Sequence, residues 1–303
     1  MRVFVAGATG AIGRPLVAAL LAAGHEVVGM TRSPEKAEGL RDAGAEAAVV
    51  DAFDADGVRG ALDSARPEVV VNQLTDLPAA YTTDMGELTA ATNRLRREGN
   101  RVLLDAAREA GARRYVAQSI AFAYAAEGDW VKDEDAPLGG HPEVVGGVRD
   151  LEGAVLEAPG LEGIVLRYGQ LYGPGTWYAP DGSLAELVRR RRFPIVGSGE
   201  GRFSFVHVDD AAAATVAAVE RGRPGVYNVV DDEPAPLREW LPVYAAALGA
   251  KPPRRVPRFV ARLVAGRAAV EAATTLRGAS SARARAELGW TPRHPTWREG
   301  FRG

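Results

Sequence analysis

Three glycines spaced three apart, Gly7, Gly10 and Gly13, follow directly on the apolar run Val3-Phe4-Val5-Ala6. A strand emptying into a helix through such a turn aims free backbone N–H groups, and the positive end of the helix dipole, at an anion. The chemistry it offers is that of a nucleotide-phosphate cradle. Gly7 would make the turn, Gly10 would admit the phosphates, and Gly13 would let the helix lie against the strand. Acid–base chemistry needs other groups. Ser119 and Tyr124 stand near a predicted strand end, Tyr168, Gln170 and Tyr172 cluster at another, and Trp177 and Tyr178 follow in a glycine-rich stretch. Among the histidines, His207 reads as part of a strand-to-helix junction with Asp209 as its cap, His141 falls in a loop, and His25 and His294 read as packing residues. No set of His, Asp and Glu has metal-ligand spacing, so no metal is expected. The absence of cysteine excludes a thiolate nucleophile, thiolate metal sites and disulfides, and fits a reducing compartment.

The elements that must hold these groups alternate between strand and helix. The pattern predicts a helix over 12–23, with Leu16, Val17, Leu20 and Leu21 on one face, then a strand over 26–31, a polar helix to 43, and a short strand over 47–50 ending before Asp51. Asp54 reads as the N-cap of a helix through 62. Residues 68–72, Glu-Val-Val-Val-Asn, read as a strand apolar enough to need cover on both faces. A long helix carrying Leu95, Val102, Leu103 and Ala106 closes at Gly111, and a fifth strand spans 114–118. Periodicity vanishes over 121–142, which reads as a long loop over the end of the sheet. A helix over 144–157 and a strand over 163–168 follow. The segment 173–192 and the loop 121–142 both leave the C-terminal ends of strands, and are expected to wall a substrate pocket.

Lys and Arg number 37 against 39 Asp and Glu in 303 residues, a balance that does not suggest a nucleic-acid face. The first strand begins at once and no apolar run approaches membrane-spanning length. A cytoplasmic protein acting on a small molecule is the expectation, with a homodimer left open.

Several landmarks in fixed order carry a resemblance over nearly the whole chain: GATGAIG at 7–13, Asp51, LRYGQLYGPGT at 166–176, FVHVDDAAAA at 205–214, VYNVVDDEP at 226–234 and ELGWTPR at 287–293. The chain resembles the extended and atypical short-chain dehydrogenase/reductases, the NAD(P)-dependent epimerase/dehydratase-like proteins. That resemblance implies an α/β fold, a doubly wound parallel Rossmann sheet of seven strands with a small, mostly helical C-terminal substrate lobe. Residues 1–170 would form the nucleotide-binding domain, with 203–230 returning to it, and 171–202 with 231–303 the lobe. It also implies that Gly7, Thr9, Gly10, Ala11 and Ile12 hold the phosphates, Asp51 and Ala52 meet the adenine, and Gln73, Leu74 and Gln118 lie beneath the cofactor. At the second strand end Arg32 and Ser33 stand where NAD-preferring members place an aspartate, so NADP(H) is expected over NAD(H), with Arg14 as a second positive charge.

The family's proton relay is a tyrosine with a lysine four residues later, plus a serine or threonine after the fifth strand. Here lysine occurs only at 36, 132 and 251, valine fills 144 and 145, and Ile120 takes the serine position. Arg149 could replace the lysine's hydrogen bonds to ribose. The catalytic candidates are then Tyr124, Tyr168, Ser119 and Arg149, and the substrate-binding candidates Gln170, Trp177 and Tyr178. The expected function is an NADPH-dependent oxidoreductase reducing a small organic carbonyl or conjugated substrate with a non-standard proton donor. Two alternatives stand beside it: a nucleotide-sugar epimerase or dehydratase, which would need the missing tyrosine, and a non-catalytic NADP(H)-binding sensor or scaffold.

Overall fold

The computed structural model describes residues 1–302. Seven strands form the central sheet: β1 (Arg2–Ala6), β2 (Glu26–Thr31), β3 (Glu46–Val49), β4 (Val69–Asn72), β5 (Arg114–Ile120), β6 (Glu162–Tyr168) and β7 (Gly225–Val229). All pair in parallel, in the order β7-β6-β5-β4-β1-β2-β3. The winding reverses between β1 and β4, so the crevice outside their carboxyl ends is where a doubly wound sheet receives a ligand.

Helices cover both faces. Leu16, Val17 and Leu20 of α1 (Gly13–Ala22) and Leu40 of α2 (Pro34–Asp42) pack on one side. The other side takes Val58 and Leu62 of α3 (Ala55–Ala65), and a long helix made of α4 (Met85–Arg94), a π-helical turn (Leu95–Gly99) and α5 (Asn100–Glu109). Leu151 and Val155 of α6 (Pro142–Leu156) complete that face. Burial on both sides explains the unbroken Val69-Val70-Val71 run, each fully buried, since a two-faced strand has no polar side to show. Asp54 caps α3 by accepting from Gly57 N at 3.0 Å.

Several boundaries shift by a few residues from the sequence reading, and two departures have local reasons. α6 starts at Pro142 rather than 144, because proline is pre-set for a first helical turn. The stretch 121–142 is less irregular than a bare loop: Tyr124 bridges Leu138, and residues 131–132 pair with 278–279.

The lobe gathers α7 (Ser183–Arg189), and, beyond α8 (Val208–Arg221), α9 (Leu237–Ala247), α10 (Arg258–Thr275) and the short α12 (Trp297–Gly300) around an aromatic core. That core includes Tyr172, Tyr178, Phe205, Trp240, Tyr244 and Trp297. α11 (Ala282–Leu288) departs from the expected division at 231–303. Its Ala284 and Leu288, with Trp290, pack with α1 and α8 on the central sheet, so this part of the C-terminal segment joins the nucleotide-binding half. No helix among the described residues is long and apolar enough to cross a membrane.

Candidate functional site

The glycine turn closes tightly at the end of β1. Gly7 has φ +83°, a left-handed conformation, and a Cβ there would lie 2.8 Å from the Gln73 carbonyl. Gly10 N donates to Gly7 O at 3.1 Å, and Arg14 N to Gly10 O at 3.1 Å, which carries the turn into α1. Gly13 is the tightest of the three, since a Cβ would sit 2.1 Å from Gly7 O. Only bare backbone fits here, and this arrangement leaves the α1 N-terminus open to an anion. Gly10 lies at the surface of the turn, Thr9 and Ala11 are half-buried, and Ile12 is buried.

Around the turn, Arg32 is exposed at the end of β2 and faces Asp76 at 3.9 Å, a loose surface pair. Ser33 is occupied structurally: its Oγ accepts from Lys36 N at 3.2 Å as the α2 N-cap and donates to Glu35 at 2.6 Å. Asp51 is exposed and accepts from Phe53 N at 2.9 Å, while Ala52 is buried beside it. Arg14 reaches the far wall, where a Cβ on Gly175 would lie 3.2 Å from its Nη2. The floor is polar. Leu74 N donates to Asn72 Oδ1 at 3.0 Å, Gln118 Nε2 donates to Leu74 O at 3.4 Å, and Gln73 Oε1 is buried without a partner.

Of the four catalytic candidates, Ser119 and Tyr124 meet in one buried network through Glu152 and Arg167, Tyr168 and Arg149 bond elsewhere, and the hydrogen bonds show where each proton goes. Thr215 Oγ1 donates to Ala211 O at 2.7 Å, so the Tyr168 O–H must donate to Thr215 Oγ1 at 2.6 Å while accepting from Gln73 Nε2 at 3.0 Å. Burial pushes that phenol up to about 12. Tyr124 accepts from Arg167 Nη1 at 2.9 Å and donates to Asn228 Oδ1 at 2.7 Å, and burial raises its pKa too. Ser119 donates to Glu152 Oε1 at 2.7 Å. Arg149 is exposed on α6 and donates to Leu138 O at 2.8 Å. Three of the four protons are thus spent inside the fold, and Arg149 is held by the 121–142 segment.

Sequence reading missed the hub of this network. Arg167 on β6 donates to both oxygens of Glu152 on α6, at 2.9 and 2.6 Å, with both side chains only 6% exposed. Its third nitrogen holds Tyr124 and the Glu134 carbonyl, the latter at 3.2 Å.

The substrate-wall candidates divide. Tyr178 is buried in the aromatic core of the lobe, and Tyr244 donates to its carbonyl at 2.9 Å, so packing is its role in this conformation. Trp177 is half-buried and donates from Nε1 to Pro78 O at 3.1 Å, which ties the 173–192 segment to the loop after β4. Gln170 is half-buried, in a short strand that pairs with 205–207.

One further expectation is corrected. The cap of α8 is His207, whose Nδ1 accepts from Asp209 N at 3.2 Å, and Asp209 stays exposed. Buried Asp210 instead accepts from Arg293 N at 2.7 Å and His294 N at 2.9 Å. That tie folds the C-terminal segment back and brings ligand atoms of His207, Asp209 and His294 within 4.8 Å of one another, a grouping invisible in linear spacing. Burial, then the neighbouring His294, lowers the His207 pKa.

A parallel, doubly wound sheet with a glycine turn at its first crossover defines a dinucleotide-binding α/β enzyme. The family model described as NAD dependent epimerase/dehydratase family matches residues 3–229, and the chain belongs to that family. A 3-diazoavenalumate denitrifying reductase from a Streptomyces species is 50% identical over 307 residues, covering 99% of this chain and 99% of that protein. Within the family the chain is an NAD(P)-dependent oxidoreductase. The UDP-glucose 4-epimerase of Thermus thermophilus, solved in complex with NAD, is 26% identical with a TM-score of 0.76, covering 100% of this chain and 97% of that one. A human epimerase family protein solved with NADPH is similar in fold at a TM-score of 0.75 and 23% identity, covering 100% and 98%.

Proposed function

We propose that this chain is an NADPH-dependent reductase of a diazo-bearing arene, a substrate that accepts hydride without needing a proton from the enzyme. The observation that carries this reading is the commitment of the Tyr124, Tyr168 and Ser119 protons to Asn228, Thr215 and Glu152. A ketone that gains hydride becomes an alkoxide and needs a positioned acid, a function typically worth about a hundredfold or more in rate. An arenediazonium differs. Its ring carbon takes up hydride, the C–N bond breaks, and N2 leaves with the bonding pair; cation plus hydride gives a neutral arene and neutral N2, with no proton in the balance. The printed name of the 50% identical relative, a denitrifying reductase of a diazo compound, supports the same class.

The glycine turn fits a nicotinamide dinucleotide, because its backbone is open where a Cβ would fill the cradle. Residues 7–12 would hold the pyrophosphate, Asp51 and Ala52 the adenine end, and Arg32 with Arg14 the 2′-phosphate. When bound, the reduced cofactor supplies hydride. The work of the chain is then to align substrate and cofactor and to keep water from the diazonium carbon.

Conservative removal of the hydroxyls tests the proposal. Tyr124→Phe and Tyr168→Phe are each expected to keep kcat within about threefold of wild type on an arenediazonium acid, since the general-acid contribution is absent. A hundredfold loss of kcat in either variant, with NADPH affinity kept, would move the assignment to a carbonyl reductase with that phenol as donor. Cofactor choice is tested separately. Arg32→Asp is expected to weaken NADPH binding about tenfold or more while leaving NADH nearly unchanged, because a charged hydrogen bond is replaced by repulsion of the 2′-phosphate. Equal affinity of the wild type for both cofactors by fluorescence titration would sink that preference.

A further inference from the structure

One buried cation has no counter-charge. Arg96 lies in the π-helical turn between α4 and α5, is 7% exposed, and forms no salt bridge among the described residues. Its guanidinium makes one hydrogen bond among them, from Nη1 to Asn93 Oδ1 at 3.2 Å, and its Nε is buried without a partner. Glu152 is the acidic group whose charge it feels, yet both Glu152 oxygens are taken by Arg167 and Ser119. Burial pulls the Arg96 pKa down to about 10, so the cation persists at neutral pH. A buried charge without a partner is costly enough that one should be sought in a ligand.

The position points the same way. Asn100, one turn later, accepts from Asn72 Nδ2 at 3.0 Å at the carboxyl end of β4. The helix enters from beyond that end, so Arg96, four residues earlier, stands about 6 Å further out. Asn93, its single partner, donates to Glu143 O at 2.8 Å and packs so closely on Gly147 that a Cβ there would meet its Oδ1 at 2.0 Å. The π-helical turn that carries Arg96 packs against α6, whose first two turns hold Val144, Val145 and Val148 and offer neither phenol nor ammonium. With Nη1 engaged, the Nε and Nη2 edge is the one left, and that edge pairs side-on with a carboxylate.

We infer that Arg96 is a substrate-recognition residue that holds a carboxylate of the acceptor through its Nε and Nη2 edge, at the crevice beyond the carboxyl end of β4. The inference rests on reading this crevice as the reductase's substrate site. It adds that the substrate is an acid, anchored by a cation from a helix other than the one that carries the family's lysine. A carboxylate held there would fix the ring relative to the cofactor and neutralise the buried charge.

The test is a binding comparison on the NADPH-loaded protein with two probes that carry no diazo group, cinnamate and its neutral isostere cinnamamide. Wild type is expected to bind cinnamate about tenfold or more tighter than the amide, a charged bidentate pair being worth at least that. Arg96→Met should bind both alike, and Arg96→Lys should keep part of the preference. NADPH affinity should stay within about threefold in all three proteins. Arg96→Met should also melt no lower than wild type, because an unpaired buried charge has been replaced by an apolar chain of similar length. Wild type without preference, or Arg96→Met retaining it, would overturn the inference. So would a drop in both melting temperature and NADPH affinity in Arg96→Met, the pattern of a structural cation. No turnover is measured, so failure here is distinct from failure of the diazo reading, which the Tyr→Phe kinetics test on their own.

Discussion

Replacing Glu152 with alanine is expected to destabilise the fold by about 3–5 kcal/mol, a third or more of the stability of an ordinary domain. The substitution leaves the Arg167 guanidinium inside the protein without the two carboxylate oxygens it now holds at 2.9 and 2.6 Å. Ser119 loses its acceptor at the same time. The damage should spread, because Arg167 also holds Tyr124, Tyr124 holds the Asn228 side chain, and Glu134 accepts from Asn228 N at 2.7 Å. One carboxylate thus joins β5, β6, β7 and α6. Urea unfolding would read the loss directly. The double variant Glu152→Leu with Arg167→Met should recover most of it, since a buried pair replaced by apolar chains of similar volume is often neutral. If Glu152→Ala costs under about 1 kcal/mol, the network is not the structural hub described here.

The second large effect is at Gly13. Even alanine there would bring its Cβ 2.1 Å from Gly7 O and 2.6 Å from the Ala8 carbonyl carbon, contacts with backbone that no rotamer relieves. α1 must move off β1, at an overpacking cost of about 1–3 kcal/mol. Its N-terminal N–H groups then no longer converge on the turn, and NADPH affinity is expected to fall about a hundredfold, or about 2.7 kcal/mol. Gly39→Ala serves as the control: it lies on the exposed face of α2, in ordinary helical conformation with open space around it. Comparable NADPH affinity in Gly13→Ala and wild type would mean that the turn is not the pyrophosphate site.

Much of this was legible in the sequence because it follows from local periodicity. The all-valine 69–71 run demanded a strand covered on both faces, and the glycine spacing demanded a turn at Gly7 and close approach at Gly13; both hold in the structure. Polar residues were harder to read, because their roles depend on partners far away in the chain. Ser119, Tyr124 and Tyr168 looked like acids by residue type, and only their acceptors on α6, β7 and α8 reveal where the protons are spent. Glu152 and Arg167 lie 15 residues apart on a helix and a strand, a separation with no pattern. Arg96 did leave a signal. Thr89, Thr92, Asn93, Arg96 and Asn100 recur at three- and four-residue steps on the buried face of the α4–α5 helix, a polar stripe where an apolar one belongs. The grouping of His207, Asp209 and His294 left none, since Asp210 creates it by anchoring the backbone of residues 293 and 294.

In the proposed reaction hydride goes to a carbon that loses N2, with no proton supplied by the protein. Single-turnover reduction of an arenediazonium acid tests it, run once with C4-deuterated NADPH in H2O and once with unlabelled NADPH in D2O, with the arene examined by mass spectrometry and NMR. Deuterium is expected at the carbon that bore the diazo group in the first experiment and none there in the second. Deuterium arriving at that carbon from D2O would mean that the position is protonated rather than reduced directly, and would rule out direct hydride transfer to it.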